Sequence, residues 1–355
     1  MPSFTTIRSL LGLFLTLSLG SSAADSASKK PKPLTLNFGS FSNRTSYVIA
    51  AELGYFNDVG LIVNQTGVAG SIVAYQNLLD GGLDVLEGTI DNILDRRFNQ
   101  GQQFSAVAQT DQGDGLTLFG SPDITSIQQF RGKTLLVDSP TSGYVLLARR
   151  ILSLYGLQYP DDYSFAAVGA QRVAQLLAGG AATIFPYQVL ANLIAAAAPA
   201  PQKPNILARA QDFVNPLSDL VLTVASSTLT NPNGDKYLAI QRFVTALLRA
   251  NAYLAKPANK RKVIQLLQRS GGYSPAAAAE AVYGYVTDPA VGEIATDQMG
   301  RFDVSRQGLL NVIDVRNQFG GFAGVAEGFD FVDAITPGPG KLIDYALRDR
   351  ALKDV

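Results

Sequence analysis

Two stretches of this chain, about 100 residues apart, repeat one pattern. The first opens on Val68-Ala69-Gly70-Ser71, runs through a helical segment to Leu78-Leu79-Asp80-Gly81-Gly82, and ends in Leu83-Asp84-Val85-Leu86. The second opens on Val168-Gly169-Ala170-Gln171, reaches Leu176-Leu177-Ala178-Gly179-Gly180, and ends in Ala181-Ala182-Thr183-Ile184. Each is a small-residue turn, a helix stopped by paired glycines, and a short apolar strand. A unit of this kind buries its apolar face only against neighbouring units, so its repetition implies two similar α/β lobes. The crevice between two such lobes is where a ligand site is expected.

The bulk numbers restrict what that crevice can do. With 355 residues, 47% hydrophobic and 16% charged, the chain can bury a large core as one big or two medium domains. Lys plus Arg and Asp plus Glu both number 29, and this zero formal charge argues against a nucleic-acid partner. Only Lys29, Lys30 and Lys32 cluster, in a stretch that reads as a solvated linker. The chain contains no cysteine and no histidine. Disulfides, thiolate or imidazole metal sites, and serine–histidine or cysteine–histidine catalysis are therefore excluded. General acid–base work would fall to Asp, Glu, Lys or Tyr. No cofactor and no metal is expected.

Residues 1–24 read as a secretory signal: Arg8, then an apolar run from Leu10 to Leu19, then Gly20-Ser21-Ser22-Ala23-Ala24. Residues 25–33 read as a linker. No stable membrane insertion is expected, because the apolar run is short for a span and Leu190–Ala198 ends at Pro199. The expected location is secreted or periplasmic. Asn43-Arg44-Thr45 and Asn64-Gln65-Thr66 are glycosylation sequons, making Asn43 and Asn64 candidate glycan sites.

Alternation and turn signals predict strands at 34–39, 60–64, 83–87, 104–109, 116–120, 133–137, 163–168 and 220–225. Between them, helices are predicted at 45–53, 71–80, 90–100 and 141–155. Helices dominate after residue 234, at 234–255, 258–270, 275–286 and near 305–319. This order predicts mainly parallel sheets, one lobe from 34–112 plus 216–355, and a second from 113–215. Gly320-Gly321-Phe322-Ala323-Gly324 lacks the strand-before, helix-after context of a nucleotide fingerprint and reads as a loop.

Several motifs resemble the type II solute-binding proteins of ABC importers, in the branch for alkylsulfonates, taurine and thiamine pyrimidine precursors. Ala50-Ala51-Glu52-Leu53-Gly54-Tyr55-Phe56-Asn57-Asp58-Val59-Gly60-Leu61-Ile62-Val63 is similar to that family's opening motif. Gly70-Ser71, Leu79-Asp80-Gly81-Gly82-Leu83-Asp84-Val85 and Phe130-Arg131-Gly132-Lys133-Thr134-Leu135-Leu136-Val137 resemble its later elements. The resemblance covers residues 34–290. It implies an α/β fold of two Rossmann-like lobes with a hinge, the periplasmic-binding-protein type II arrangement, followed by a helical C-terminal region. Two departures stand out. Ala181-Ala182 replaces the family's Asp-Ala, and Phe185-Pro186-Tyr187 replaces its Glu-Pro, so two acidic groups are missing from the expected cleft mouth. A related group of fungal enzymes builds the thiamine pyrimidine from its own histidine and pyridoxal phosphate with a cysteine-rich iron motif. A chain without His or Cys cannot carry that activity.

Proteins of this architecture are expected to hold ligands with helix N-termini, hydroxyls and aromatic faces. Four turns fit: Phe41-Ser42-Asn43-Arg44-Thr45, Gly70-Ser71, Asp138-Ser139-Pro140-Thr141-Ser142-Gly143 and Gly169-Ala170-Gln171. Candidate ligand contacts are Phe41, Asn43, Arg44, Gly70, Ser71, Asp91, Ser139, Thr141, Ser142, Gly143 and Tyr187. Arg44 offers a bidentate clamp for an anion, or is a solvated loop residue. The serines and threonines either cap helices alone or also touch ligand. Asp91 is a ligand-facing acid or an N-cap. Glycosylation at Asn43 conflicts with a cleft role unless its loop faces outward.

Two functions follow as expectations. The first is a secreted protein, a monomer, that captures a small polar ligand, anionic or aromatic, between its lobes, with an ABC permease as partner if the source is bacterial. The second is a non-metal lyase or isomerase of small-molecule biosynthesis on the same scaffold, with Asp91 and Tyr187 moving protons.

Overall fold

Ten strands form two mixed sheets of five in this computed structural model, which describes residues 32–113, 115–186, 203–288, 293–294 and 300–355. The predicted signal, most of the linker, Tyr187 and the apolar run at 190–198 lie outside the described residues. Residues 31–355 form one compact unit.

The first sheet has the order β2-β1-β3-β10-β4, from Leu61–Gly67, Leu34–Ser40, Val85–Thr89, Leu220–Ala225 and Phe104–Gln109. The second has the order β7-β6-β8-β5-β9, from Ser164–Ala167, Thr134–Val137, Ala182–Pro186, Leu116–Gly120 and Asn205–Arg209. The chain crosses from the first sheet to the second after β4 and returns before β10. Those crossings explain why the expectation of mainly parallel sheets fails in part. β10 enters from the far end and runs antiparallel to both β3 and β4, and β5 runs antiparallel to β8 and β9. The β1–β2, β1–β3, β6–β7 and β6–β8 pairs are parallel, each joined by helical crossovers.

The repeated units occupy equivalent places. α1 (Thr45–Glu52) and α2 (Tyr55–Asp58) lead to β2, and α3 (Ser71–Leu79) leads to β3. α4 (Ile90–Leu94) continues as a π-helical turn over Asp95–Asn99, and α5 (Gly143–Leu154) follows β6. α6 (Arg172–Leu177) leads to β8 as α3 leads to β3. The paired glycines do two jobs in each unit. Gly81 and Gly179 take positive φ values of 78° and 105°, which lets each helix end in a tight left-handed turn. Gly82 packs against the Asn77 side chain, and a Cβ on Gly180 would sit 2.5 Å from Leu136. A side chain at Gly82 would have to displace Asn77, and one at Gly180 would also meet the Gln175 carbonyl of the helix backbone.

The C-terminal third is helical: α7 (Asp235–Leu254), α8 (Lys260–Ser270), α9 (Ala276–Val286), α10 (Arg306–Gln318), α11 (Phe331–Ala334) and α12 (Ala346–Ala351). α7 covers the first sheet through Phe243, whose ring lies 4.8 Å from Phe38 and 5.5 Å from Phe56. Burying each such ring stabilises the fold by roughly 1.5–3 kcal/mol. α10 packs against both α4 and α5, so it touches the side of each lobe. One apolar core runs continuously through residues of both sheets, from Tyr75 and Phe104 to Leu118, Val145 and Ile184. Among the described residues no helix is long and apolar enough to cross a membrane.

Candidate functional site

Strand ends and helix starts of both sheets converge on one cleft of about 560 Å³, mouth included. From the first sheet come Phe41 and Ser42 after β1, Glu87 and Thr89 of β3, Asn92 of α4 and Leu220 of β10. From the second come Asp138 and Ser142 after β6, Tyr144 of α5, Arg172 of α6 and Phe185 of β8.

Arg172 is the guanidinium that faces this space. Its side chain is 8% exposed. The guanidinium lies over the Phe185 ring at 4.6 Å and near the Tyr144 ring at 5.7 Å. Its Nη1 is 2.9 Å from Asp138 Oδ1, yet neither Nη1 nor Nε points an N–H at an acceptor. The contact with Asp138 is therefore an ion pair without an aligned hydrogen bond. A buried donor left without an acceptor costs about 1–3 kcal/mol. Thr89 Oγ1 is also buried without a partner. Ser142 stands at the N-cap position of α5, but its hydroxyl does not cap the helix. It donates instead to Asp138 Oδ1 at 2.7 Å.

Arg44 has a different fate. Its Nη2 bonds Asp111 and Glu293, each at 2.5 Å, and its Nε lies 3.9 Å from Glu87. Burial by itself would lower its pKa, but Glu293, Asp111 and Glu87 together hold it well above the usual arginine value. The expected clamp is thus closed on the protein's own carboxylates rather than open to an anion, and Arg44 is buried rather than solvated. Glu87 lines the cleft and accepts from Thr110 Oγ1 at 2.6 Å. Burial raises its pKa, against the pull of Arg44 and Thr110.

Asp91 sits in a smaller cavity behind the cleft, with Thr89, Gly143, Ser218 and Asp219. It pairs with Arg316 of α10 at 2.8 Å, and Thr89, not Asp91, holds the N-cap position of α4. Burial outweighs that pairing and raises its pKa. Gly143 belongs to the same cavity. A Cβ on Gly143 would come within 2.7 Å of Asp91, so the two lobes meet there. They meet again where Gly169 approaches the Ala69 carbonyl.

Of the residues singled out in the sequence, the cleft gathers Phe41 and Ser142. Ser139 and Thr141 lie beside it, bonded to each other at 3.2 Å. Gly70 holds the N-cap position of α3 and Ser71 is buried in its first turn, and neither lines the cleft. Asn43 is exposed and bonds Gln65 at 3.1 Å, while Phe41 and Ser42 of the same turn line the cleft and Arg44 is buried. Asn64 is exposed on the edge strand β2. Tyr187 lies outside the described residues. Sequence reasoning missed Glu87, Thr89, Tyr144 and Arg172. The signal for Arg172 was present: it follows Gly169-Ala170-Gln171, one of the four turns chosen, and stands one residue beyond it.

A family profile described as NMT1/THI5 like matches residues 42–260. The chain belongs to the NMT1/THI5-like family. Its fold is similar to the nitrate-binding protein NrtA of Synechocystis PCC 6803, with TM-score 0.67 and 14% identity over 92% of this chain and 90% of that one. It is similar to the alkanesulfonate-binding protein SsuA of Xanthomonas axonopodis pv. citri bound to MOPS, with TM-score 0.63 and 14% identity over 84% and 96%. A Candida albicans protein with the generic periplasmic binding protein fold matches at TM-score 0.58 and 16% identity over 84% and 92%. No curated protein sequence matches the chain. Members of this fold family are thus the two-lobed type expected from the motifs.

Proposed function

We propose that this protein captures a small, partly planar ligand between its lobes and holds it without chemistry. The observation that carries this is Arg172: a buried guanidinium in the cleft lining, laid over Phe185 and ion-paired with Asp138, whose Nε makes no hydrogen bond. The ligand would bring an acceptor oxygen to Arg172, from a carbonyl, carboxylate or sulfonate group. Phe41 and Phe185 would cover its planar part, and Ser42, Asn92 and Thr89 would take its remaining polar edge. The resemblance to nitrate- and alkanesulfonate-binding proteins supports this class of role. Boundaries at 34–112 plus 216–355 and at 113–215 would define the closing halves. The chain would act as a secreted or periplasmic monomer after loss of residues 1–24, with an ABC permease as partner in a bacterial source. The exposed side chains of Asn43 and Asn64 would accept glycans in a eukaryotic one.

A thermal-shift screen against sulfonates, phosphates, pyrimidines and aromatic acids tests the reading. At least one class should raise the unfolding midpoint, and Arg172→Ala should remove that gain. A screen in which no class stabilises the protein would reject it.

One observation favours the enzymatic alternative. Glu87 is a buried carboxyl that burial keeps inclined to hold its proton, and it lines the cleft. That is the requirement for a general acid. Asp91, engaged by Arg316, is the weaker choice. Mass spectrometry of a screened ligand after incubation separates the two: a binding protein returns it unchanged, and an enzyme returns a product that Glu87→Gln no longer makes.

A further inference from the structure

The two crossings between the lobes bring an unusual excess of acid together. Asp111 lies on the first crossing and Asp219 on the second, with the Asp219 backbone N–H donating to the Asp111 carbonyl and the Asp219 carbonyl accepting from Ile90. Both side chains are buried, at 3% and 4% exposure. Glu87, also buried, faces the same group. The guanidinium within this group is Arg44, and it is already shared by Asp111, Glu293 and Glu87. Asp219 meets the second lobe through the Tyr144 hydroxyl, 3.5 Å from its Oδ2, rather than through a cation. Asp91 stands behind it, held with Asp95 by Arg316, and Arg172 on the far side of Tyr144 is paired with Asp138. Among the described residues no cluster of acids is arranged to hold a metal ion. Bringing the lobes together therefore puts several carboxyls into a dry space with too few cations.

We propose that the hinge is proton-linked: the lobes close around the cleft with Asp219 uncharged, and they open when Asp219 becomes a carboxylate. This regulates the cleft described above and rests on the reading that the lobes close on a ligand. Hydration on opening favours the ionised acid, and burial on closing favours the protonated one. In this structure, which we take as the closed arrangement, burial, reinforced by Asp111 and set against Arg44 and Tyr144, raises the pKa of Asp219 well above the usual aspartate value. The sign follows from linkage. A carboxyl with a raised closed-state pKa favours the closed form at low pH, and that preference is lost as pH rises from about 4 through the raised value. An anionic ligand group brought to Arg172 would add further negative charge, so closure on such a ligand should also take up a proton.

Small-angle X-ray scattering of the ligand-free full chain over a pH series tests this without any ligand. The wild type should shift from a smaller to a larger radius of gyration as pH rises, and Asp219→Asn, which stays uncharged, should remain compact throughout. A constant wild-type radius, or an Asp219→Asn protein that opens along the same curve, overturns the proposal. If Asp219→Asn does not fold, infrared spectroscopy of the wild type decides. A protonated-carboxyl band present in the compact form and lost as the radius grows supports it, and its absence in the compact form overturns it. Failure here leaves the ligand-binding reading intact, since the thermal-shift screen at fixed pH judges that separately.

Discussion

Arg44 and Arg172 are both buried and both follow a strand of their own lobe, yet they face opposite demands. Arg44 is enclosed by three carboxylates from β3, the first crossing and Glu293. Arg172 has one carboxylate and two aromatic rings, with N–H groups left over. The comparison teaches that an arginine near a cleft is a ligand contact only when its own protein leaves its donors unfilled. Arg44 is filled by its own carboxylates, whereas Arg172 keeps an Nε without a partner.

Breaking each arginine should separate stability from binding. Arg44→Met should have the largest effect, lowering stability in urea unfolding by about 3–5 kcal/mol, because it strands buried carboxylates without their cation. Arg172→Ala should cost less stability, under about 2 kcal/mol, since it removes a donor set only partly used. The same change should weaken a screened ligand at least about tenfold, near 1.4 kcal/mol, by calorimetry. Arg172→Lys sharpens the point: it keeps charge but loses the flat face on Phe185 and the forked donors, so affinity should fall between wild type and the alanine variant.

Smaller effects concern the acids around each arginine. Glu87 has a raised folded-state pKa, so the wild type should lose stability as pH rises from about 4 through that value. Glu87→Gln should flatten this slope in unfolding experiments between acid and neutral pH. Ser142→Ala removes one hydrogen bond to Asp138 and should cost about 1 kcal/mol, the smallest change of the set.

Much of the fold was legible in the sequence because its signals are local. Phe104–Gln109, Leu116–Gly120 and Leu220–Ala225 were bounded by composition alone, and the paired glycines announced where α3 and α6 stop. Strand direction was not legible. β5 and β10 are antiparallel to their neighbours because the chain crosses between sheets, a property of the path and not of the residues. β9 escaped notice because Asn205–Arg209 follows a proline-rich loop and leaves Ile206 and Arg209 exposed, so its apolar pattern is broken. The site was only partly legible. Phe41 and Ser142 stood out as an aromatic and a hydroxyl in turns, whereas Arg44 and Arg172 are indistinguishable until burial and carboxylate neighbours are known. Glu87 was hidden inside an apolar strand, where an acid reads as an interruption.

Arg172, and not Arg44, is the arginine proposed to bind the guest. Isothermal titration of one screened ligand into wild type, Arg172→Ala and Phe185→Ala tests this assignment most directly. A loss of at least about tenfold is expected in both variants, each still folded by circular dichroism. Unchanged affinity in folded Arg172→Ala would contradict it.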